Sequence, residues 1–241
     1  MRAVLLNKTK KIGLLLDPDK AKGDSLRNLL NIAEECRIDF ILAGGSLTFN
    51  NIDNLIDTIK ESCPIPVILF PGNLLQLTHK ADLILLLSLI SGRNPELLIG
   101  NHVVAAPFLK DIRSKLIPVG YILISCGKKT SVEYISQTEA IPSDKPEIAV
   151  ATALAGEMLG LGMIYLEAGS GASGPVPPDI IRSIRENISV PLIVGGGIRK
   201  KDQIRDIFNA GADIIILGNG CENNPDLLID ACRVRDELRN P

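Results

Sequence analysis

Glu167 ends an apolar run, MIYLE, and is followed at once by AGSGASG. A carboxylate at a strand tip, beside a glycine-rich loop that can take up a ligand, can orient a hydroxyl and accept its proton. The same position also suits a salt-bridged structural group. Tyr165, two residues earlier, shares the strand face of Glu167 by period-two alternation and can hydrogen-bond the same ligand. Glu167 opens the first glycine loop, Gly169, Ser170 and Gly171; two more follow in LIVGGGIRK and IIILGNGCE. Glycine lets the backbone approach an anion closely, and N–H groups at a helix N-terminus point at it. Either of the last two clusters alone is also the composition of a tight turn. Together, each closing an apolar run, they point to a phosphate site with Gly196, Gly197, Gly218 and Asn219 as ligands. Near the other end of the chain, LLLDPDK puts Asp17 at a strand tip and ILAGGSLTF presents Ser46. A sparse, oxygen-only shell of this kind suits Mg²⁺ when phosphates and water complete the octahedron. Asp17 is as readily the N-cap of the following helix. No DDxxD cluster occurs, so diphosphate chemistry here would use fewer metals than a trinuclear magnesium site.

These residues need a scaffold that gathers strand ends. Short aliphatic runs recur along the chain, each followed by a Gly-, Pro-, Asp- or Ser-rich turn and then a helical pattern. The expected strands are Ile12 to Leu16, Phe40 to Ala43, Val67 to Phe70, Leu83 to Leu87, Val119 to Ile124, Met163 to Glu167, Leu192 to Val194 and Ile214 to Leu217. Between them, apolar residues repeat at helical spacing, as in Leu26, Leu29, Leu30, Ala33 and in Ile180, Ile181, Ile184, Ile188. Strands that are aliphatic throughout suit a parallel sheet covered on both faces, and eight βα units in 241 residues match a closed (β/α)₈ barrel. An open doubly wound sheet is the alternative. In a barrel the working groups lie past the C-terminal strand ends, where Asp17, Ser46, Glu167 and the glycine loops fall. The segment from Gly127 to Pro146 reads as the loosest part, with a mobile loop after the fifth strand.

Composition excludes several classes of function. With 26 Lys+Arg against 28 Asp+Glu, the chain offers no general attraction to a nucleic-acid backbone. Aromatics are 3% and Trp is absent, which leaves no base-stacking platform. The longest strongly apolar stretch, LILLLSLISG, has ten residues, against about 20 for a membrane span. The N-terminus lacks a secretory signal pattern, so the expected location is cytoplasmic. Five cysteines without a CxxC pair read as buried small hydrophobes. The two histidines, His79 and His102, have no partner at metal-ligand spacing and read as surface or packing residues. The Ala-rich run EIAVATALAGEMLGLG reads as a tightly packed outer helix or a contact between copies.

The motifs DPDK, AGGS, SGRNPELLIGNHVVAAP, PVGYILI, DKPEIA, YLEAGSGASGPVP, VGGGIR and LGNG follow one another along the chain. In this order they resemble the geranylgeranylglyceryl phosphate synthase family, which includes the PcrB-type heptaprenylglyceryl phosphate synthases. The resemblance covers about Ile12 to Gly220, and residues 1–241 read as one prenyltransferase domain. It implies a modified (β/α)₈ TIM barrel with a reduced third helix, consistent with the short segment Gly72 to Lys80. It also implies Mg²⁺-dependent transfer of a long prenyl group from its diphosphate to the 3-hydroxyl of sn-glycerol 1-phosphate, giving an ether lipid precursor. Transferred by position, Asp17 and Ser46 match metal-binding residues. Tyr165, Leu166, Glu167, Ala168, Gly169, Ser170 and Gly171 match the glycerol phosphate loop, and Gly196, Gly197, Gly218 and Asn219 match the remaining phosphate ligands. Family members form dimers or hexamers, which implies a homo-oligomer, with transient membrane contact through the lipid substrate. Leu15, where bacterial PcrB sequences carry Lys, and the loop YLEAGSGA place the chain nearer the archaeal-type enzymes and favour geranylgeranyl over heptaprenyl as donor. Leu97 and Leu98 stand where relatives often show an aromatic. A phosphate-binding barrel isomerase or synthase of another pathway, and a catalytically silent barrel, are the competing readings.

Overall fold

A computed structural model describes residues 2–239. Its strands are β1 (Lys11–Leu16), β2 (Phe40–Gly45), β3 (Val67–Pro71), β4 (Leu83–Leu89), β5 (Leu116–Ser125), β6 (Ile141–Pro142), β7 (Met163–Glu167), β8 (Leu192–Gly195) and β9 (Ile214–Leu217). All pairings are parallel, in the order β4-β3-β2-β1-β9-β8-β7-β5, and β4 also pairs with β5 over Ile84↔Leu116 to Leu89↔Tyr121. That last pairing closes the sheet into an eight-stranded barrel and removes the open-sheet alternative. The eight expected strands all form; β5 begins earlier than its pattern indicated, at Leu116, because its first residues pair with β4.

Alternation divides the aliphatic residues of each strand into two cores. Phe40, Leu42, Ile68, Leu85, Val119, Met163, Ile193 and Ile216 fill the barrel interior. Their strand neighbours Ile41, Leu69, Ile84, Ile164, Val194 and Ile215 face the helical layer. The helices at Gly23–Glu35 and Pro178–Arg185 bury the stripes expected of them, Leu26, Leu29, Leu30, Ala33 and Ile180, Ile181, Ile184. Between β3 and β4 the helix is reduced to a single 3₁₀ turn, Leu74–Gln76.

Two expectations are corrected. The segment 127–146 is more regular than a loop: it holds a helix, Ser131–Ser136, and strand β6, which pairs with β5. The Glu133 carboxylate accepts hydrogen bonds from the Thr130 N–H and hydroxyl at 2.8 Å each, so the helix start is locally encoded. Of the cysteines, Cys63, Cys221 and Cys232 are buried, whereas Cys36 and Cys126 are only half-buried; all five are free thiols. The Ala-rich run forms the helix Pro146–Met158, which buries Ala149, Thr152, Ala153 and Gly156 and leaves Ile148 and Met158 exposed.

The barrel's N-terminal end is held by a device that recurs three times. Asp39, Asp82 and Asp213 each precede a strand and accept the N–H of the first or second residue of a neighbouring strand: Ile12 at 2.9 Å, Val67 at 2.8 Å and Leu192 at 2.9 Å. Asp213 is buried and also receives the Arg185 guanidinium at 3.0 Å. Asp213→Ala strands both the cation and the N–H in a low-dielectric setting. Its expected cost is about 3–5 kcal/mol, read as a lower denaturant midpoint, whereas Asp213→Asn, which keeps an acceptor, costs less.

Candidate active site

The loops after β1, β2, β5, β7, β8 and β9 meet at the C-terminal end of the barrel around a cavity of about 1000 Å³. Asp17, Ser46, Tyr165, Glu167, Ser170, Gly171, Gly196, Gly197, Gly218 and Asn219 all line it. The physical reason is register. Glu167 lies level with Gly195 of β8, and parallel strands in a barrel end together on one face. Leu166 and Ala168 do not line the cavity. By strand alternation their side chains pack in the outer core, so they can act only through the backbone. The Ala168 N–H is already donated to the Gly195 carbonyl at 3.0 Å. Gly169 does not line the cavity either; its N–H is donated at 2.7 Å to Oε1 of Glu167.

Glu167 forms the floor. Its carboxyl is buried, and burial raises its pKa above 4.5, with the Gly169 N–H pulling in the opposite direction. Three of the eight aromatic side chains surround it. The centroids of Tyr121 and Tyr165 are 5.1 Å apart in a T-shaped arrangement, and Phe70 lies 5.8 and 5.6 Å from them. Tyr121 and Tyr165 meet because they are paired across β5 and β7. Burial, reinforced by the Glu167 charge, pushes both phenols well above 10, so they stay neutral donors. The Tyr165 hydroxyl is buried and makes no well-formed hydrogen bond among the described residues, although it lies near enough to Glu167 to help hold down the carboxyl's pKa. It sits close to the carboxylate: a Cβ built on Gly195 would come 2.4 Å from Tyr165 Oη and 3.1 Å from Glu167 Oε2. The pair forms a polar floor ready for a hydroxyl-bearing ligand.

The rim is cross-linked by side chains. Lys20 Nζ lies 3.2 Å from Asn219 Oδ1 and 3.7 Å from Asp17 Oδ2, and Asn219 Nδ2 donates to Ser170 Oγ at 2.8 Å. Arg199 also lines the cavity and donates to the Ser173 and Ala172 carbonyls at 3.1 and 2.6 Å, holding the loop after β7. Lys20, Lys129 and Arg199 supply positive charge among the glycines and carboxylates that line the pocket. For a cation, Asp17 Oδ1 is engaged by the Asp19 N–H at 2.9 Å, while Oδ2 lies against Gly45, the neighbour of Ser46. Glu222 does not line the cavity; its Oε1 is buried without a hydrogen bond among the described residues, and burial raises its pKa, opposed by Lys20 and reinforced by the Asp17 charge. Among the described residues no three His, Cys, Asp or Glu side chains gather as a metal cage. Such a set fits a hard cation that takes most of its oxygens from substrate and water, as Mg²⁺ does.

A second, apolar cavity of about 460 Å³ adjoins the first, sharing Ser46, Phe70, Tyr121, Val132 and Ile135 with it. Leu74, Leu77, Leu85, Leu87 and Leu97 line it, whereas Leu98 packs against the outer core. His102 also lines it, with Nε2 at 2.9 Å from the Leu87 carbonyl, and His79 stacks on Phe108 at 4.2 Å. His102 thus packs in the fold and His79 is exposed at the surface against Phe108, both within the expectation of surface or packing residues. Tyr121 and Phe70 escaped the sequence reading. Phe70, next to the end of β3, carried a usable signal in its inward-facing parity, whereas Tyr121 stands in the middle of β5 and is brought to the site by register with Tyr165.

The PcrB family model matches residues 6–235. The chain is 48% identical over 229 residues to "Geranylgeranylglyceryl phosphate synthase" of Spirosoma linguale, covering 95% of this chain and 92% of that one. It is 39% identical over 228 residues to the protein of the same name from Pyrococcus abyssi, covering 94% and 89%. Among solved structures, (S)-3-O-geranylgeranylglyceryl phosphate synthase from Thermoplasma acidophilum in complex with substrate sn-glycerol-1-phosphate superposes with a TM-score of 0.88 at 31% identity, covering 95% and 94%. Thiamine phosphate pyrophosphorylase from Pyrococcus furiosus, at 16% identity and a TM-score of 0.59, shares the fold alone.

Proposed function

The chain belongs to the PcrB family, and from that membership we propose that it joins a geranylgeranyl group from its diphosphate to the 3-hydroxyl of sn-glycerol 1-phosphate. The products are an ether lipid precursor and diphosphate. The observation that carries this reading is the junction of two unlike cavities over one buried carboxylate. The polar cavity, with Glu167 as its floor, opens through Phe70 and Tyr121 into the apolar one. A hydrocarbon chain fits the second chamber and a small phosphate ester the first, so the reacting carbon and hydroxyl meet at the shared wall.

The glycine loops Gly196–Gly197 and Gly218–Asn219, with the loop Gly169–Ser170–Gly171, hold the phosphate of the acceptor. Tyr165 donates to the glycerol hydroxyl, and Glu167 accepts its proton as the oxygen forms the new C–O bond at the allylic carbon. The bond from that carbon to the diphosphate breaks, and its electron pair leaves with the diphosphate. Phe70 and Tyr121 line the wall shared by the two cavities, where aromatic rings can stabilise the carbon on which positive charge develops. Asp17 and Ser46 would hold Mg²⁺, whose chemistry when bound is to neutralise charge on the departing diphosphate. Lys20 bridges Asp17 and Asn219 and so helps to hold both in place.

Turnover of sn-glycerol 1-phosphate with farnesyl, geranylgeranyl and heptaprenyl diphosphates tests the reaction and the donor together. The expected result is highest kcat/KM with the geranylgeranyl donor; a maximum with heptaprenyl would change the donor, and no turnover with any would overturn the reading. Asp17→Asn should raise the Mg²⁺ concentration at half-maximal rate about ten-fold or more, the factor that each ~1.4 kcal/mol of lost interaction carries. An unchanged Mg²⁺ titration removes Asp17 from the metal site. Association of copies through the exposed apolar residues of the outer helices, among them Val103, Val104 and Met158, is part of the same reading and is checked by sedimentation.

A further inference from the structure

Large apolar side chains are exposed where the cavities open. Phe49 is 87% and Leu75 95% exposed, and Leu47 and Ile135 are about half exposed. They stand on three different loops, after β2, β3 and β5, all at the C-terminal end of the barrel. The loops are braced. The Gln76 amide donates to the Gly45 carbonyl at 2.8 Å and to Thr48 Oγ1 at 3.2 Å, tying the β3 loop to the β2 loop. The Asp19 carboxylate accepts the N–H groups of Phe49 and Asn50 at 2.8–3.1 Å, tying the β2 loop to β1. Phe49 and Leu75 are therefore held outward at fixed positions, and their exposure has a cost in water that the fold itself does not recover.

Charge on this rim is arranged in a matching way. Asp19 and Glu133 are spent on hydrogen bonds to the loops that carry the apolar tips. Lys22, close enough to Asp19 to lower its pKa, and Lys128 and Lys129 after β5 are exposed. Apolar tips flanked by exposed lysines are the pattern of a protein that seats on an anionic lipid surface.

We propose that this rim docks on a lipid bilayer with anionic headgroups, Phe49 and Leu75 entering the interface beside Leu47 and Ile135, so that the apolar cavity opens toward the membrane. Leu47 and Ile135 line the cavities themselves, so the apolar surface continues from the tips into the chamber. The inference rests on the reading of the donor as a prenyl diphosphate. A hydrocarbon donor dissolved in a bilayer then reaches the reaction chamber without crossing water, and the product leaves the same way.

The test is flotation of the full chain with vesicles of phosphatidylcholine and phosphatidylglycerol in equal parts, compared with pure phosphatidylcholine. Binding to the mixed vesicles is expected, with a marked preference over the neutral ones. Phe49→Ser/Leu75→Ser should weaken it about ten-fold or more, and Lys22→Glu/Lys128→Glu should abolish the preference for the anionic vesicles. Turnover of water-soluble farnesyl diphosphate without vesicles should be unaffected in both variants, which shows that they fold. No vesicle binding by the wild type, or equal binding by the Ser variant, overturns the proposal. It is likewise overturned if the Ser substitutions lower the sedimenting mass, since the rim would then be a contact between copies. Absence of turnover with every prenyl diphosphate, with vesicle binding intact, overturns instead the reading of the reaction.

Discussion

Glu167→Gln is expected to lower kcat for prenyl transfer by about 10²–10⁴-fold, the usual contribution of a positioned general base. The KM for sn-glycerol 1-phosphate should move little. Gln retains the side-chain oxygen that accepts the Gly169 N–H, so the loop after β7 keeps its anchor and the pocket its shape. It loses only the capacity to take the hydroxyl proton. An unchanged kcat would remove Glu167 from the proton transfer. The pH profile gives an independent readout. Burial raises the Glu167 pKa, so the protonated, inactive form persists above pH 4.5. The rate should climb as pH rises through the raised value, and in Glu167→Gln that acid limb should disappear. Stability runs the other way. A carboxyl with a raised folded pKa stabilises the fold most below its unfolded value of about 4.5, and that contribution is lost as pH rises through the folded pKa. Relative to Glu167→Gln, the wild type should therefore lose stability across the window in which it gains activity. Parallel curves for the two proteins would contradict the burial argument.

Gly196→Ala has the second large expected effect, for a different reason. Gly196 has φ +82°, a backbone conformation that L side chains rarely adopt, and a Cβ there would lie 2.3 Å from Glu167 Oε1 and 2.6 Å from the Gly169 N. The neighbours are a buried carboxylate and a backbone amide already bonded to each other, and neither can yield cheaply. The backbone costs about 1–3 kcal/mol and the overlap a similar amount. Displacing the carboxylate by a fraction of an ångström should also lower kcat on the order of 10²-fold. Gly171→Ala is the matched comparison: φ is +83°, but nothing lies within 4 Å of the added Cβ. It should show the backbone cost alone in a thermal melt. Equal destabilisation by the two substitutions would mean that the contact with Glu167 is not what requires glycine at 196.

The gathering of the candidate site residues around one cavity is legible in the sequence because they stand at strand ends. The run MIYLE followed by AGSG marks a strand tip by composition alone, and the same holds for Asp17 after LLL and for the glycines after LIV and IIIL. Parallel strands in a barrel finish on one face, so identifying the tips was enough to gather those residues. The helix stripes were legible for a similar reason, since a 3.6-residue repeat is local. The segment 127–146 misled because its polar composition hid the Thr130–Glu133 capping interaction that starts a helix there. The motif-based assignment of a whole loop includes Leu166 and Ala168, whose side chains alternation turns toward the helices, so that only their backbone can face a ligand.

Lateral neighbours were a different matter. That Tyr121 faces Tyr165, that Phe70 completes the aromatic wall, and that β4 meets β5 all depend on which residues stand level across the barrel. Register arises from the packing of every strand against both neighbours at once, and no short window of sequence contains it. The recurrent IDF, ADL and ADI before three strands looks like ordinary loop composition until Asp39, Asp82 and Asp213 are seen gripping the adjacent strands. The apolar chamber is likewise a property of closure: its leucines come from β4 and from the loops after β3 and β4, and they face a common space only because the sheet curves back on itself. Periodicity settled what each segment is and where it ends; only the closed barrel decided which buried groups stand opposite Glu167, because long-range burial is a collective choice of the whole chain.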